Sequence, residues 1–372
     1  MNKLGVTATV LLASTSLAQA GGIERTATTT GILFEEGTYL ELSYGSVSPD
    51  VSGSVNGAPI NSGDMAPSYN TVTLGFHHDI NDQLSFSLII DEPIGADVQY
   101  PGSLAPGGYP FAGSYAELSS RQITAALRYE MANNVSVYGG LRAVQVDGDV
   151  YVSTPLFAYE LHADTSYELG YMLGAAYERP DIALRAALTY FSEVDLDISG
   201  VEGVGPAGTP AGFVPTAPTA FGNTLPESVL LELQSGIAED TLLFGSVRWT
   251  AWDGYAITPN AYPTPSGNLV DYDDDVWTYT LGIGHRLNEN WSISASLGYE
   301  AANGPFQGNL GPTDGFTSVG LGAEYTYENI SVGAGVRYID IGDAATQLGG
   351  GATSAFRDND AIAVGLRVGF QF

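Results

Sequence analysis

Apolar and polar residues take turns along most of the chain. Trp291, Ile293, Ala295, Leu297 and Tyr299 share one side; Ser292, Ser294, Ser296 and Gly298 share the other. A period of two marks a β-strand with one apolar and one polar face. Ile330, Val332, Ala334, Val336 and Tyr338 oppose Ser331, Gly333, Gly335 and Arg337 in the same way. So do Ile123, Ala125, Leu127 and Tyr129 against Gln122, Thr124, Ala126 and Arg128. The pattern predicts fourteen strands, near 38–48, 68–80, 83–92, 114–131, 134–152, 156–178, 182–198, 227–238, 241–253, 272–287, 290–302, 316–327, 329–341 and 360–372. No segment after residue 20 sustains the i, i+3, i+4, i+7 spacing of an amphipathic helix.

The connections alternate between two kinds. Short turns sit at Ile80-Asn81-Asp82, Ala132-Asn133-Asn134, Arg179-Pro180-Asp181, Glu239-Asp240, Leu287-Asn288-Glu289 and Glu328-Asn329. Long segments rich in Gly, Pro, Ser and acid fill 49–67, 93–113, 199–226, 254–271, 303–315 and 342–359. Tight turns on one side and long loops on the other describe a bacterial outer-membrane barrel. Lipid offers no water to an open sheet edge, so a spanning sheet has to close on itself. A secreted sandwich or propeller is the soluble competitor. Against it, the apolar rows end in Tyr or Trp, as an interfacial girdle requires, and the opposite rows are Gly, Ser, Thr and scattered Arg, which suits a lumen. The expected fold is therefore all-β: a transmembrane antiparallel barrel of about fourteen strands over 38–372, preceded by a short plug segment over 21–37.

Composition narrows the function. The chain has 372 residues and a net charge of -30, yet only 15% of residues are charged and 44% are hydrophobic. Such acidity argues against a nucleic-acid partner, which needs a basic surface. With no Cys there is no disulfide scaffold, thiol nucleophile or thiolate metal site. Residues 1–20 read as a secretory signal peptide: Lys3, an apolar stretch from Leu4 to Leu17, then Ala18-Gln19-Ala20 as a small-x-small cleavage site. That stretch is too short to span a bilayer as a helix. Export and a barrel together predict the outer membrane of a Gram-negative bacterium, with outer-membrane lipid as surroundings. The last strand alternates Ile362, Val364, Leu366, Val368, Phe370 and Phe372 with small and polar residues. Its terminal Phe372 resembles the signal read by the barrel assembly machinery. We expect a monomer.

The second half of the chain carries a resemblance. Leu225-Pro226 leads into a strand and turn, then Val247-Arg248-Trp249-Thr250-Ala251-Trp252, an acidic loop, a strand from Val276, and Asn288-Glu289-Asn290-Trp291. Order and spacing resemble the FadL/TodX family of hydrophobic-compound transporters over roughly 225–372. The first half agrees mainly by strand count, and Gly21-Gly22-Ile23 is similar to the family's small-small-apolar start. The resemblance implies passive uptake of long-chain fatty acids or similar apolar molecules. Capture would occur in an outer groove, and exit would be sideways through a gap in the wall. A break or bulge in strand two or three would betray that gap. Family members usually carry a longer N-terminal hatch, with an Asn-Pro-Ala-type segment that is missing here, so gating by Gly21, Gly22 and Ile23 is expected to differ.

Two sets of side chains are candidate ligand contacts. Seven Arg fall on the inferred inner face: Arg128, Arg142, Arg185, Arg248, Arg286, Arg337 and Arg367. They either form a charge network with Glu41, Glu130, Glu168, Glu178 and Glu324, or offer a bidentate fork to a carboxylate. Arg142 and Arg248 are the leading carboxylate candidates, with Arg128 and Arg185 behind them. The second set is apolar and lies in loops: Leu104, Tyr109, Pro110 and Phe111; Leu156, Phe157 and Tyr159; Phe213, Val214 and Phe221. These either form a capture groove or pack together to close the mouth. The acidic run Asp271-Tyr272-Asp273-Asp274-Asp275 lacks the frame of a calcium loop and reads as a solvated edge, so no metal or cofactor is expected.

Catalysis finds little support. The four His are His77, His78, His162 and His285, and no Gly-x-Ser-x-Gly elbow occurs. His77 and His78 are expected in the aromatic belt and His285 on the outer face. A general porin for small polar solutes, or a structural or adhesive barrel, are the alternatives to a hydrophobic-compound channel.

Overall fold

The computed structural model describes residues 23–26, 29–264, 267–304, 306–349 and 352–372. The expected signal peptide, Gly21 and Gly22 lie outside the described residues. Fourteen strands form the wall. They are β1 (Thr38–Asp50), β2 (Tyr69–Asn81), β3 (Leu84–Asp91, then Ala96–Gln99), β4 (Tyr115–Glu130), β5 (Val135–Ser153), β6 (Phe157–Thr165, then Glu168–Arg179) and β7 (Leu184–Phe191, then Val194–Pro206). They continue as β8 (Ala217–Leu225, then Ser228–Ala238), β9 (Thr241–Thr250), β10 (Val276–Arg286), β11 (Trp291–Glu300), β12 (Phe316–Tyr327), β13 (Ile330–Ile341) and β14 (Asn359–Gln371).

Neighbours in sequence pair antiparallel, and β1 closes the ring on β14 from Tyr39↔Gln371 to Asp50↔Asp360. Closure removes the edge that lipid could not satisfy. Four of the short turns carry a non-Gly residue at positive φ (Asn134, Ala183, Asp240 and Glu328), which the tight reversal demands.

The phase of the alternation marks the bilayer. On β5, Val137 and Leu141 lie exposed on the outside, while Ser136 and Tyr138 are buried within. Above residue 143 the chemistry inverts. Gln145, Asp147 and Asp149 now hold the outer positions, and Val144, Val146 and Val150 are buried inside. β4 behaves alike: exposed Leu127 and Tyr129 give way to Glu117 and Ser119 on the outside, and Gln122 and Thr124 give way to Leu118 and Ala116 within. A strand in lipid shows its apolar face outward; above the lipid the same strand turns it inward, onto a core. The upper halves of β4 to β8 therefore stand above the membrane as a sheet with its own apolar inner face.

The sequence reading missed part of that extension. Residues 156–178 and 182–198 were expected as unbroken strands, and 199–226 as a loop. Instead β6, β7 and β8 are each interrupted at the membrane edge, at 166–167, 192–193 and 226–227, and 199–226 is mostly the outer β7–β8 hairpin, paired from Val194↔Leu225 to Glu202↔Ala217. Each interruption shifts the phase by one residue, so Val194, Leu196 and Ile198 face inward although Ala187 and Thr189 did so below. A count that holds its phase across the break misassigns every residue beyond it. The loops 51–68 and 342–358 also contain strands: Gly53–Val55, Ala344–Gly349 and Ala352–Phe356 form a small sheet over the mouth.

The N-terminal segment enters the lumen. A 3₁₀ turn, Gly31–Phe34, buries Leu33 and sets Phe34 edge-on to Tyr138 at 5.7 Å. Thr29 Oγ1 and Thr30 N donate to the Glu232 carboxylate at 2.9 and 3.2 Å. His77 departs from its expected belt position. It is fully buried, with Nδ1 2.9 Å from Ser87 Oγ, because its place in the alternation puts it inward; His78 and His285 are exposed.

Candidate functional site: an apolar cavity beside a gap in the wall

β3 leaves the wall before its end. The β2–β3 ladder runs from Asn81↔Leu84 to Leu74↔Ile90 and stops there, short of the upper end of β2. Pro93 brings no N–H to a ladder, and Gly95 admits a close neighbour: a Cβ there would sit 2.4 Å from Arg25 Nε. The departing chain pairs instead with the N-terminal segment. Arg25 N donates to Pro93 O and Gly95 N to Ile23 O, each at 2.8 Å. Arg25 then lies over the Tyr69 ring at 4.2 Å and pairs with Asp97, so it stands in the gap. The break expected in strand two or three is here, in strand three.

Above this point the inner faces of β3 to β8 enclose an apolar cavity of ≈ 100 Å³. Leu118, Val146, Leu161, Leu196, Ile198 and Phe221 line its walls. Ile23 and Ile94 close its membrane end, in one packed cluster with Val144, Val194 and Trp252. The β9–β10 loop covers one side with Tyr255, Ile257 and Tyr272. Trp252, the last residue of the Trp-Thr-x-Trp stretch, is fully buried and holds both tyrosines, with ring centroids at 4.8 and 5.2 Å. Burial pushes the Tyr255 and Tyr272 phenols up, so they stay neutral. Asn260 N and Ala261 N donate to the buried Glu202 carboxylate at 3.0 and 3.1 Å, pinning that loop to the outer sheet.

No Arg, Lys or His lines this cavity among the described residues, and its two acids, Glu117 and Asp271, are exposed at the rim. Every leading arginine lies below it and is engaged. Arg248 bonds Glu24 at 2.9 Å. Arg142 donates to Gln122 Oε1 at 3.0 Å and to Ser192 O at 3.3 Å, and lies over Phe191. Arg128 pairs with Glu178, and with Arg185 it sandwiches the Phe34 ring at 4.8 and 4.5 Å. Arg367 meets Glu324 and Glu41 at 2.5 and 3.5 Å. These contacts form a charge network that fills the lumen around the N-terminal segment.

The loop candidates mostly pack on one another. Tyr109 is buried and stacks on Tyr100 at 5.3 Å, with Phe111 beside the same ring at 6.0 Å. Phe157 meets Tyr262 edge-on at 6.1 Å. Phe213 is 77% exposed. Of the loop set Phe221 alone reaches the cavity. Asp275 accepts from Trp249 Nε1 at 2.9 Å, so the end of the acidic run secures the Trp-Thr-x-Trp stretch. The sequence reading passed over Leu118, Val146, Leu161 and Leu196. The signal for them was the inversion of the alternation above residue 143.

Above the lipid, His162 bridges two acids. Its Nδ1 meets Asp149 and its Nε2 lies 2.8 Å from Glu160 Oε1. Hydrogen bonds to Asp149 and then Glu160 raise its pKa from the ordinary value, against a smaller cost of burial.

Comparison with known proteins agrees with this architecture. Residues 33–372 match the family model described as outer membrane protein transport protein (OMPP1/FadL/TodX). No curated protein matches in sequence. Among solved structures, a FadL homologue of Pseudomonas aeruginosa is similar at 16% identity and TM-score 0.77, covering 93% of both chains. The Ralstonia pickettii toluene transporter TbuX is similar at 14% identity and TM-score 0.64, over 91% of this chain and 90% of that one. The Pseudomonas putida toluene transporter TodX is similar at 13% identity and TM-score 0.62, over 95% and 96%. At such identities the likeness is one of fold, while the family model spans the whole barrel: the chain belongs to the FadL/TodX family of outer-membrane transport proteins.

Proposed function

We propose that this channel conducts uncharged apolar molecules of about the size of a single aromatic ring. The carrying observation is an apolar cavity of ≈ 100 Å³ with no cationic side chain in its lining among the described residues. Removing an ion from water costs several kcal/mol unless it is paired. A fatty-acid carboxylate would find no partner there, and Arg142 and Arg248 are already held below. The acidic outer rim adds repulsion, since a net charge of -30 steers anions away. The TbuX and TodX likenesses, both named as toluene transporters, support the same cargo.

The route follows from polarity. A molecule in the cavity has Ile23 and Ile94 beneath it, and beneath them the charge network. Straight descent would place apolar surface against paired charges. The β2–β3 gap lies beside Ile94 and opens on lipid, so the favourable exit is sideways, past Arg25. Gating then resides in Ile23 to Arg25, the short hatch this chain retains. Intrinsic fluorescence of the detergent-solubilised protein tests the cargo class, because Trp252 lies against the cavity's tyrosines. Toluene is expected to change the emission saturably, and benzoate, the same ring bearing a carboxylate, is expected not to. Equal binding of benzoate would refute the reading and restore the carboxylate role of the arginines.

A further inference from the structure

The wall has a second interruption. Between β6 and β7 the ladder pairs Leu184↔Arg179 to Phe191↔Met172 and resumes at Ile198↔Thr165. Between them, residues 166–170 and 193–197 lack ladder pairing to each other. The outer piece of β7 is bound there on its β8 side only. A shallow dimple marks the place on the outer surface, edged by Leu169, Tyr171, Tyr190 and three acids, Glu168, Glu193 and Asp195.

The same short stretch has the apolar cavity behind it. Glu193 and Asp195 face the dimple, while Val194 and Leu196 are buried inside, Leu196 in the cavity lining. Opposite Val194 the neighbouring strand offers no side chain. The position is Gly170, where a Cβ would lie 2.7 Å from Val194 Cγ2 and 3.0 Å from Ser192 Oγ. Val194 packed on Gly170, with Leu196 behind it and Ser192 bonded to Tyr171 at the lower edge (Ser192 N to Tyr171 O and Tyr171 N to Ser192 Oγ, each 2.9 Å), forms the barrier between cavity and outer surface. A rotamer change at Val194 would open this place without breaking a β6–β7 ladder pair, since that ladder stops at Phe191↔Met172 and resumes at Ile198↔Thr165.

We propose that this interruption is a second lateral port, through which uncharged apolar molecules pass between the cavity and the outer leaflet. It rests on the reading that such molecules are the cargo. Its chemistry suits them: the three acids at its mouth repel an anion, and the Tyr171 and Tyr190 rings offer apolar faces at the membrane edge.

The chain has no Cys, so a single introduced thiol is a unique attachment point. Asp195→Cys and Val72→Cys, the latter exposed beside the β2–β3 gap, are reconstituted separately and together in liposomes. Toluene uptake is measured before and after a bulky maleimide. Each single label is expected to slow uptake partially, and both together to abolish it. Val194→Gly is expected to speed uptake, and labelling at Asp195→Cys in that background to reverse the gain. Full labelling of Asp195→Cys with unchanged uptake, or a Val72 label that alone abolishes uptake, would overturn the port. Absence of toluene uptake in the unlabelled protein would instead overturn the cargo on which the port rests.

Discussion

Glu24 and Arg248 are far apart in sequence, and both are largely withdrawn from solvent. Thr250 Oγ1 also donates to Glu24, at 3.3 Å. Removing one partner of such a pair leaves a buried charge uncompensated, at about 3–5 kcal/mol. Arg248→Ala should therefore release residues 23–26, read as faster amide exchange there, with the wall unchanged; unaltered exchange would show that Arg25 and its neighbours suffice. That an inward arginine sits at 248 was legible from the alternation. Its partner was not, because Glu24 precedes the first strand and its position depends on where β3 leaves the wall. His162 offers a separate test. Its raised pKa means that the folded state holds the proton more tightly than the unfolded chain. The stabilisation is complete below the unfolded value of about 6.5 and is lost as pH rises through the raised folded value. An NMR titration should place its midpoint above 6.5, and His162→Gln should remove the matching pH dependence of stability; a midpoint at or below 6.5 would contradict the bridge to Asp149 and Glu160.

At the scale of elements, β5 carries most information. One strand begins as a lipid-facing wall and ends as the wall of a dry cavity, and the exchange takes place around Arg142 and Ala143. The position of that exchange is testable. Leu141, 63% exposed on the outer face, belongs to the lipid band, where an arginine costs about 2–4 kcal/mol near the midplane and less toward the interface. Leu141→Arg should slow folding into vesicles, and Gln145→Arg, two outward positions higher, should not; equal effects would move the membrane boundary. The strand number and the turns were readable because alternation and turn residues are local signals. The interruptions in β6 and β7 were not read, because each shifts the phase by one residue and the pattern on either side looks sound; in β3 and β8 the strand was bounded at the break, and the outer pieces, Ala96–Gln99 and Ala217–Leu225, read as loop. Pro93 and Pro226 were the available hints, since proline cannot serve a ladder.

For the whole molecule, the arrangement is an apolar chamber on top of a charged, plugged lumen, with its openings in the side of the barrel. The chamber escaped the sequence reading because its lining comes from strands, hairpin and loops that meet only after the barrel closes. The loop aromatics proposed for capture mostly serve to pack the mouth: Tyr109 and Phe111 on Tyr100, Phe157 on Tyr262. A channel so built should pass apolar molecules and hold back ions. The most direct measurement reconstitutes the protein in liposomes for toluene uptake and in planar bilayers for conductance. The expected result is saturable uptake with little ionic current, and uptake largely lost in Leu196→Asp, which places a charge in the cavity lining. Strong ohmic conductance without toluene uptake would contradict the account and identify an open aqueous pore instead.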